Sequence, residues 1–332
     1  MTERSSNIAV AGAGRMGRGI ALSCAWAGYH VSLVDSEERT TDEFVETTAT
    51  TAMELLRESH ALADTGIISR AAADNITARI DIVSRAAGTA ALRMADFVFE
   101  AVAEVPDIKQ STYAWLSEAV SDSTILASTT STMLSDTLAG FVTHPERFTN
   151  AHWLNPAYLM PLVEISPAAQ TSAEVVAALR ELLESIGKVP VECRASPGYI
   201  VPRIQALVMN EAARLVEEGV ASAEDVDRAI RTGFGPRYTV FGALEFVDWG
   251  GGDILYYASR YLSETINEVR FSSPDVVEKN MAAGRNGMRE GQGFYNWRNI
   301  DVDAFRVERL ATFTNLLGHL KLLPQPSGDK HG

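Results

Sequence analysis

Apolar positions along the chain fall into short runs separated by helix-period segments. Ile8, Val10 and Ala11 form a first run of the kind a buried parallel strand shows. Ile20, Ala21, Cys24 and Ala27 then recur at helical spacing, and Gly28 stands where a helix C-terminus needs a left-handed residue. A second run, Val31 to Val34, ends on Asp35. Further strand-like runs are predicted at Ile80–Val83, Phe97–Val102, Ile125–Ser128, Phe148–Ala151, Leu162–Ile165 and Val189–Cys193. Helical patterns separate most of them, as at Ile108–Val120 and Ala173–Ile186. This alternation predicts an α/β fold with a doubly wound, mostly parallel sheet of Rossmann type. Phe148–Ala151 and Leu162–Ile165 are close enough in sequence to pair directly.

The pattern changes after Cys193. Ser196-Pro197-Gly198 reads as a linker, and Ile200, Ile204, Leu207, Val208 and Leu215 recur at helix spacing. Ser222, with Asp225 three residues on, opens a further helix that is expected to stop at Gly233. The chain therefore divides into an N-terminal α/β domain (1–194), an all-α C-terminal domain (195–300) and a last segment (301–332). That segment holds one more amphipathic stretch, Phe305–Leu317, and a polar tail expected to be disordered.

Charge narrows the possible partners. The 332 residues carry 43 acidic and 29 basic side chains, a net charge of −14 that repels nucleic acid and anionic membranes. No apolar stretch approaches the length of a membrane span, and the short polar N-terminus does not read as a signal peptide. Cys24 and Cys193 have no metal-type spacing; Cys24 shares a helical face with Met16 and Ile20 and is expected in the core. A cytoplasmic location is the expectation.

Gly12-Ala13-Gly14-Arg15-Met16-Gly17 sits between the first strand and the first helix, and Asp35 follows about 20 positions later. In that context each residue has a physical task. Gly12 allows the tight turn, Gly14 lets the backbone approach a pyrophosphate, and Gly17 lets helix and strand pack closely. The amides at Arg15 and Met16 face the phosphates. Asp35 accepts from the adenosine ribose and repels a 2′-phosphate, which favours NAD over NADP, although Arg39 is near enough to meet such a phosphate. A nicotinamide enzyme without a metal needs a base for the hydroxyl proton, and histidine suits that task. Of the six histidines, His152 alone lies at the end of a predicted strand. If the flanking strands pair antiparallel about residue 158, His152 faces Glu164. A catalytic base and a buried structural histidine are both compatible with that placement.

The residues also resemble the L-3-hydroxyacyl-CoA dehydrogenase superfamily over most of 7–298. The matching stretches are Val10 to Gly17, Phe99 to Glu104, Ala127 to Ser131, His152 to Pro156 with Val163-Glu164, and Ser196 to Ile200. The resemblance implies His152 as catalytic base, Glu164 as its carboxylate partner and Ser131 as donor to the reacting oxygen. It implies Asn155 in the same pocket, and Glu104 and Lys109 beside the nicotinamide half of NAD. It also implies a homodimer through the helical domain, with Trp249 and the glycines at 250–252 at the interface.

Two departures bear on the substrate. Pro202 stands where the acyl-CoA enzymes usually have an asparagine that contacts substrate, and residues 36–95 contain no lysine to meet CoA phosphates. Gly233-Phe-Gly-Pro-Arg237-Tyr238 is similar to a segment of the lambda-crystallin (gulonate dehydrogenase) and carnitine dehydrogenase branch. There Arg237 would bind a free carboxylate, unless it is a solvated helix-end arginine. Gly291-Gln292-Gly293 is expected to be a structural turn. The expected activity is NAD-dependent oxidation of a small 3-hydroxy acid. A 3-hydroxyacyl thioester dehydrogenase is the alternative, and a non-catalytic NAD-binding protein a third reading.

Overall fold

The computed structural model describes residues 6–266 and 269–323. The terminal tail from residue 324 onward, His331 included, lies outside the described residues. The chain forms two compact units, Met1–Val208 and Met209–Gly332.

The first unit is built on an eight-stranded sheet of order β3-β2-β1-β4-β5-β6-β7-β8. In chain order its elements are β1 (Ile8–Ala11), α1 (Arg15–Trp26), β2 (Val31–Val34), α2 (Thr41–Asp64), α3 (Arg70–Thr77), β3 (Ile80–Val83), α4 (Arg85–Met94) and β4 (Phe97–Glu100). They continue with α5 (Pro106–Ala119), β5 (Ile125–Ser128), α6 (Ser135–Ala139), β6 (Phe148–Trp153), β7 (Leu162–Pro167), α7 (Ala173–Ser185), β8 (Val189–Glu192) and α8 (Val201–Glu217), within which the units divide. All neighbouring strands are parallel except β6 and β7.

The central strand β1 reads as an unbroken apolar run because both its faces are covered, whereas the edge strands β3 and β8 are partly exposed. Ile8 and Val10 pack with Ile20, Leu33 and Phe99 on one face, while Ala9 and Ala11 pack with Val98, Tyr113 and Leu116 on the other. Cys24 is fully buried in the first cluster. Helix α1 ends in a Schellman turn: Gly28 has φ +99°, its amide bonds the Ala25 carbonyl, and the Tyr29 amide bonds that of Cys24. Thr40 and Glu43 cap α2 reciprocally. Strand order reverses between β1 and β4, so the loops after these strands open a crevice at the carboxyl edge.

The second unit is helical, with α9 (Ala223–Ala229), α10 (Gly235–Val240), α11 (Ala243–Gly250), α12 (Gly252–Ile266), α13 (Asp275–Ala282) and α14 (Val302–His319). Helix α9 does not stop at Gly233. It passes through a π-helical turn, Ile230–Phe234, into α10. The wide turn is closed by the Gly235 amide on the Ile230 carbonyl, and a Cβ at Gly235 would lie 3.0 Å from that oxygen. Gly235 permits this close approach inside a helix, whereas Gly233 is neither a left-handed cap nor close to any neighbour, a Cβ there meeting nothing within 4 Å. The turn containing Gly291 and Gly293 is structural. Buried Asp248 accepts from the amides of Phe294 and Tyr295 at 2.9 and 2.8 Å and from Trp297 Nε1 at 2.9 Å. A side chain at Gly293 would collide with that carboxylate.

No helix among the described residues is long and apolar enough to cross a membrane.

Candidate active site

The carboxyl edge of the sheet collects the chemistry. Gly12, the residue after β1, has φ +113°, and a Cβ there would lie 2.7 Å from the Ala101 carbonyl oxygen. A Cβ on Gly17 would overlap the Gly12 carbonyl oxygen, so α1 can sit this close to β1 only with glycine. Gly14 differs, because a Cβ there meets nothing within 4 Å. As N-cap of α1 it offers no side-chain acceptor, and the first turn holds no acidic residue. The helix amides are therefore left for an outside anion. Arg15, the first helical residue, is exposed, and Met16 packs against the core.

A cleft of about 530 Å³ runs along this edge, lined among others by Gly12, Gly14, Asp35, Arg39, Ala101 and Val102. Asp35 is buried at the end of β2 and bonded by Arg39 Nε at 2.6 Å. An uncapped helix start, an open cradle at Gly14 and a carboxylate one strand away fit a dinucleotide.

The antiparallel pairing of β6 and β7 places His152 opposite Glu164, as the reflection about residue 158 predicts. His152 Nδ1 is 2.7 Å from Glu164 Oε2. Glu164 is fully buried, and its Oε1 accepts from the amides of Ile200 and Val201, both at 2.9 Å. Burial acts to raise the Glu164 carboxyl. The His152 bond and the two amides outweigh it, and the group lies below its ordinary value of 4.5. A carboxylate so held fixes the imidazole with its proton on Nδ1 and leaves Nε2 to act as base.

The turn that delivers these amides is left-handed at Gly198 and at Tyr199, whose φ is +42°. Tyr199 is held by its hydroxyl, which donates to the Met133 carbonyl at 2.6 Å, and by stacking on His152 at 5.7 Å between ring centres. Burial, then the charges of Glu104, Cys193 and Glu164, push its phenol well up, so it stays a donor. Tyr199 had no assigned role from sequence; its position two residues after Pro197, in a turn entering a helix, was the available signal.

Ser131 follows β5 by three residues. Ser128 pairs with Asn150, the last pair between β5 and β6. Asn150 Nδ2 reaches the Thr130 carbonyl at 3.2 Å. Glu104 gathers the loop: it accepts from the Thr130 hydroxyl (2.6 Å), the Ser131 amide (2.6 Å), the Ser131 hydroxyl (3.0 Å) and the Thr132 hydroxyl (3.1 Å). Burial acts to raise Glu104, but these bonds and the Lys109 charge prevail and lower it. Asn155 is exposed at the start of the β6–β7 connection.

Lys109 is not at the cleft surface. It is 1% exposed, and its Nζ donates to both carboxylate oxygens of fully buried Glu100, at 2.8 and 2.9 Å. The same carboxylate also takes the Ser128 hydroxyl at 2.9 Å, the Val102 amide at 2.8 Å and the Tyr113 hydroxyl. Lys109 thus secures the loop that carries Glu104 from below. In the helical unit, Arg237 is exposed on α10, with its guanidinium 4.8 Å from the Phe246 ring centre.

The family model described as 3-hydroxyacyl-CoA dehydrogenase, NAD binding domain, matches residues 7–196, and the one described as the C-terminal domain matches residues 198–297. The chain belongs to the 3-hydroxyacyl-CoA dehydrogenase family.

As a member of that family it is an NAD-dependent oxidoreductase acting on CH–OH groups. It is 30% identical over 91% of its length to a 5-formyl-3-hydroxy-2-methylpyridine 4-carboxylate 5-dehydrogenase of Mesorhizobium japonicum, covering 94% of that protein. It is 32% identical to the 3-hydroxyadipyl-CoA dehydrogenase of Escherichia coli, over 88% of this chain but only 59% of that longer protein. Among solved structures, a 3-hydroxyacyl-CoA dehydrogenase from Archaeoglobus fulgidus superposes with TM-score 0.73 at 31% identity, covering 95% of this chain and 99% of that one. Family members thus include enzymes named for acyl-CoA substrates and one named for a small pyridine carboxylate.

Proposed function

We propose that this family member oxidises the hydroxyl of a small 3-hydroxy acid, reversibly, with His152 as the base. The observation that carries the reading is the buried His152–Glu164 pair at 2.7 Å. In the forward direction the substrate O–H proton passes to His152 Nε2 as the C–H hydride leaves the same carbon. NAD, when bound, supplies the hydride acceptor. Glu164 stabilises the imidazolium that forms, while Ser131 and Asn155 hold the substrate oxygens. Glu104 orients Ser131, and Gly12, Gly14, Arg15, Met16, Gly17 and Asp35 take the cofactor.

The preference for a free acid rests on Pro202, which has neither a side-chain nor a backbone donor, and on the absence of lysine from 36–95. Exposed Arg237 would bind the free carboxylate. A thioester substrate is the second reading, favoured by the acyl-CoA enzymes among the relatives. We also propose a cytoplasmic homodimer through the helical unit, where Met209, Ile254, Tyr257 and Tyr261 are all more than 60% exposed.

His152→Gln should abolish turnover while leaving NADH affinity within about twofold, read by initial rates and fluorescence titration. Undiminished turnover would overturn the assignment. Rates on free 3-oxo acids against acetoacetyl-CoA, with NADH, decide between the two substrate readings.

A further inference from the structure

Among the described residues, two that are not glycine have a left-handed backbone: Tyr199 and Lys321, the latter just past α14. A bulky side chain is held in that region only where its surroundings over-determine it. At Tyr199 they do. The residue is 4% exposed, its amide donates to the Ser196 carbonyl at 3.0 Å, and its ring lies 27° from parallel with the His152 imidazole. The next two amides, of Ile200 and Val201, are the ones that Glu164 accepts.

The far end of the same side chain reaches a different segment. Its hydroxyl donates to the carbonyl of Met133, whose own amide donates to the Thr130 hydroxyl at 3.0 Å. Residues 130–133 are therefore held from three directions. Glu104 holds them from the loop after β4, Asn150 from β6, and Tyr199 from the turn before α8. No hydrogen bond among the described residues joins Ser131 to His152 directly. Tyr199 spans that gap, with its ring on the imidazole and its hydroxyl on the segment that carries Ser131.

We propose that Tyr199 is a positioning residue that fixes the separation of His152 and Ser131, its hydroxyl steadying the serine and its ring steadying the imidazole. One reacting oxygen has to meet both groups at once, and a misplacement of about 1 Å can cost about a hundredfold in rate. The left-handed turn is the backbone conformation that lets one residue serve both groups. The inference rests on His152 and Ser131 having the roles proposed above.

The test is a double-mutant cycle of Tyr199→Phe and Ser131→Ala. Initial rates are taken with NADH on whichever of acetoacetate and acetoacetyl-CoA the native protein reduces. Tyr199→Phe keeps the ring and removes only the tie to Met133. It should lower kcat about tenfold, the scale of one hydrogen bond, with the NADH dissociation constant within about twofold of native. In the Ser131→Ala background the same change should cost less than about twofold, because the group it positions is gone. Tyr199→Leu, which also removes the ring, should lower kcat further; the cycle decides on its own if the leucine variant folds poorly. Equal losses in the two backgrounds, or native kcat in Tyr199→Phe, overturn the proposal. So does a loss of kcat matched by an equal loss of NADH affinity, which marks a general structural role. Failure of the underlying reading shows separately, as undiminished turnover in His152→Gln.

Discussion

Glu164 places one carboxylate oxygen 2.7 Å from His152 Nδ1 and the other 2.9 Å from two consecutive backbone amides. The pair is more than a contact between neighbours on adjacent strands. It sets which imidazole nitrogen carries the proton, and it is anchored from the far side by the entry to α8.

Glu164→Gln keeps the shape but has one oxygen for two sets of donors. Either the amides of Ile200 and Val201 or the imidazole loses its acceptor. We expect kcat to fall by about a hundredfold or more, with NADH affinity little changed. Stopped-flow reduction of NAD under saturating substrate reads the first quantity, and fluorescence titration the second.

Stability should carry the same signature. The Glu164 and Glu104 carboxyls both lie below their ordinary 4.5 in the folded chain. A group depressed on folding contributes stability that is full above its unfolded value and is lost as pH falls through its folded value. The melting temperature should therefore drop below about pH 4.5, and Glu164→Gln or Glu104→Gln should flatten that part of the profile. Scanning calorimetry from neutral pH down to about pH 3 checks this. A native-like slope in both variants would show that other carboxylates govern acid unfolding.

The glycines of the fingerprint should separate into two kinds. Gly17→Ala forces a methyl against the Gly12 carbonyl, and should cost about 1–3 kcal/mol and weaken NADH binding. Gly14→Ala meets no protein atom, and Gly14 already has extended backbone at φ −71°. That variant should melt with native protein yet bind NADH about tenfold less tightly, because the methyl enters the space left for the pyrophosphate. Parallel melts and titrations of the two distinguish them.

Lys109 invites a double-mutant cycle. Removing one partner of a buried ion pair strands the other, so Lys109→Met should cost about 3–5 kcal/mol. The double variant Glu100→Gln/Lys109→Met should cost less than the sum of the two single changes. Urea unfolding measures all three, and strict additivity would mean that Glu100 is held by Ser128, Val102 and Tyr113 alone.

Much of this was legible before any coordinates. Ile80–Val83 and Ile125–Ser128 match β3 and β5 end to end; β5 is buried throughout and reads as a nearly unbroken apolar run, while edge strand β3 carries exposed Asp81 within its run. The His152–Glu164 register followed from symmetry about residue 158, since a short antiparallel connection leaves little freedom. Other features resisted for physical reasons. A lysine carries a strong expectation of exposure, and Lys109 escapes it only because α5 folds back over Glu100, nine residues earlier. Gly233 reads as a helix stop because glycine so often closes a helix, and only the π-helical turn shows the chain continuing through it. The grip of Glu104 on Thr130, Ser131 and Thr132 joins residues 26 to 28 apart and needs β4 and β5 side by side to become visible. Arg39 stood near Asp35 in sequence, but only the ion pair reveals that the cation is already engaged.

The two amides on Glu164 belong to residues 200 and 201, immediately before Pro202, which has no N–H to give. Inheritance at these two positions is thus filtered by backbone chemistry. Isoleucine and valine there can drift among side chains of similar size, but a proline moved one place upstream would delete a donor and leave a buried oxygen of Glu164 with half its anchorage. Such a change touches neither substrate nor cofactor. It would nevertheless be read in the laboratory as damage to the proposed base.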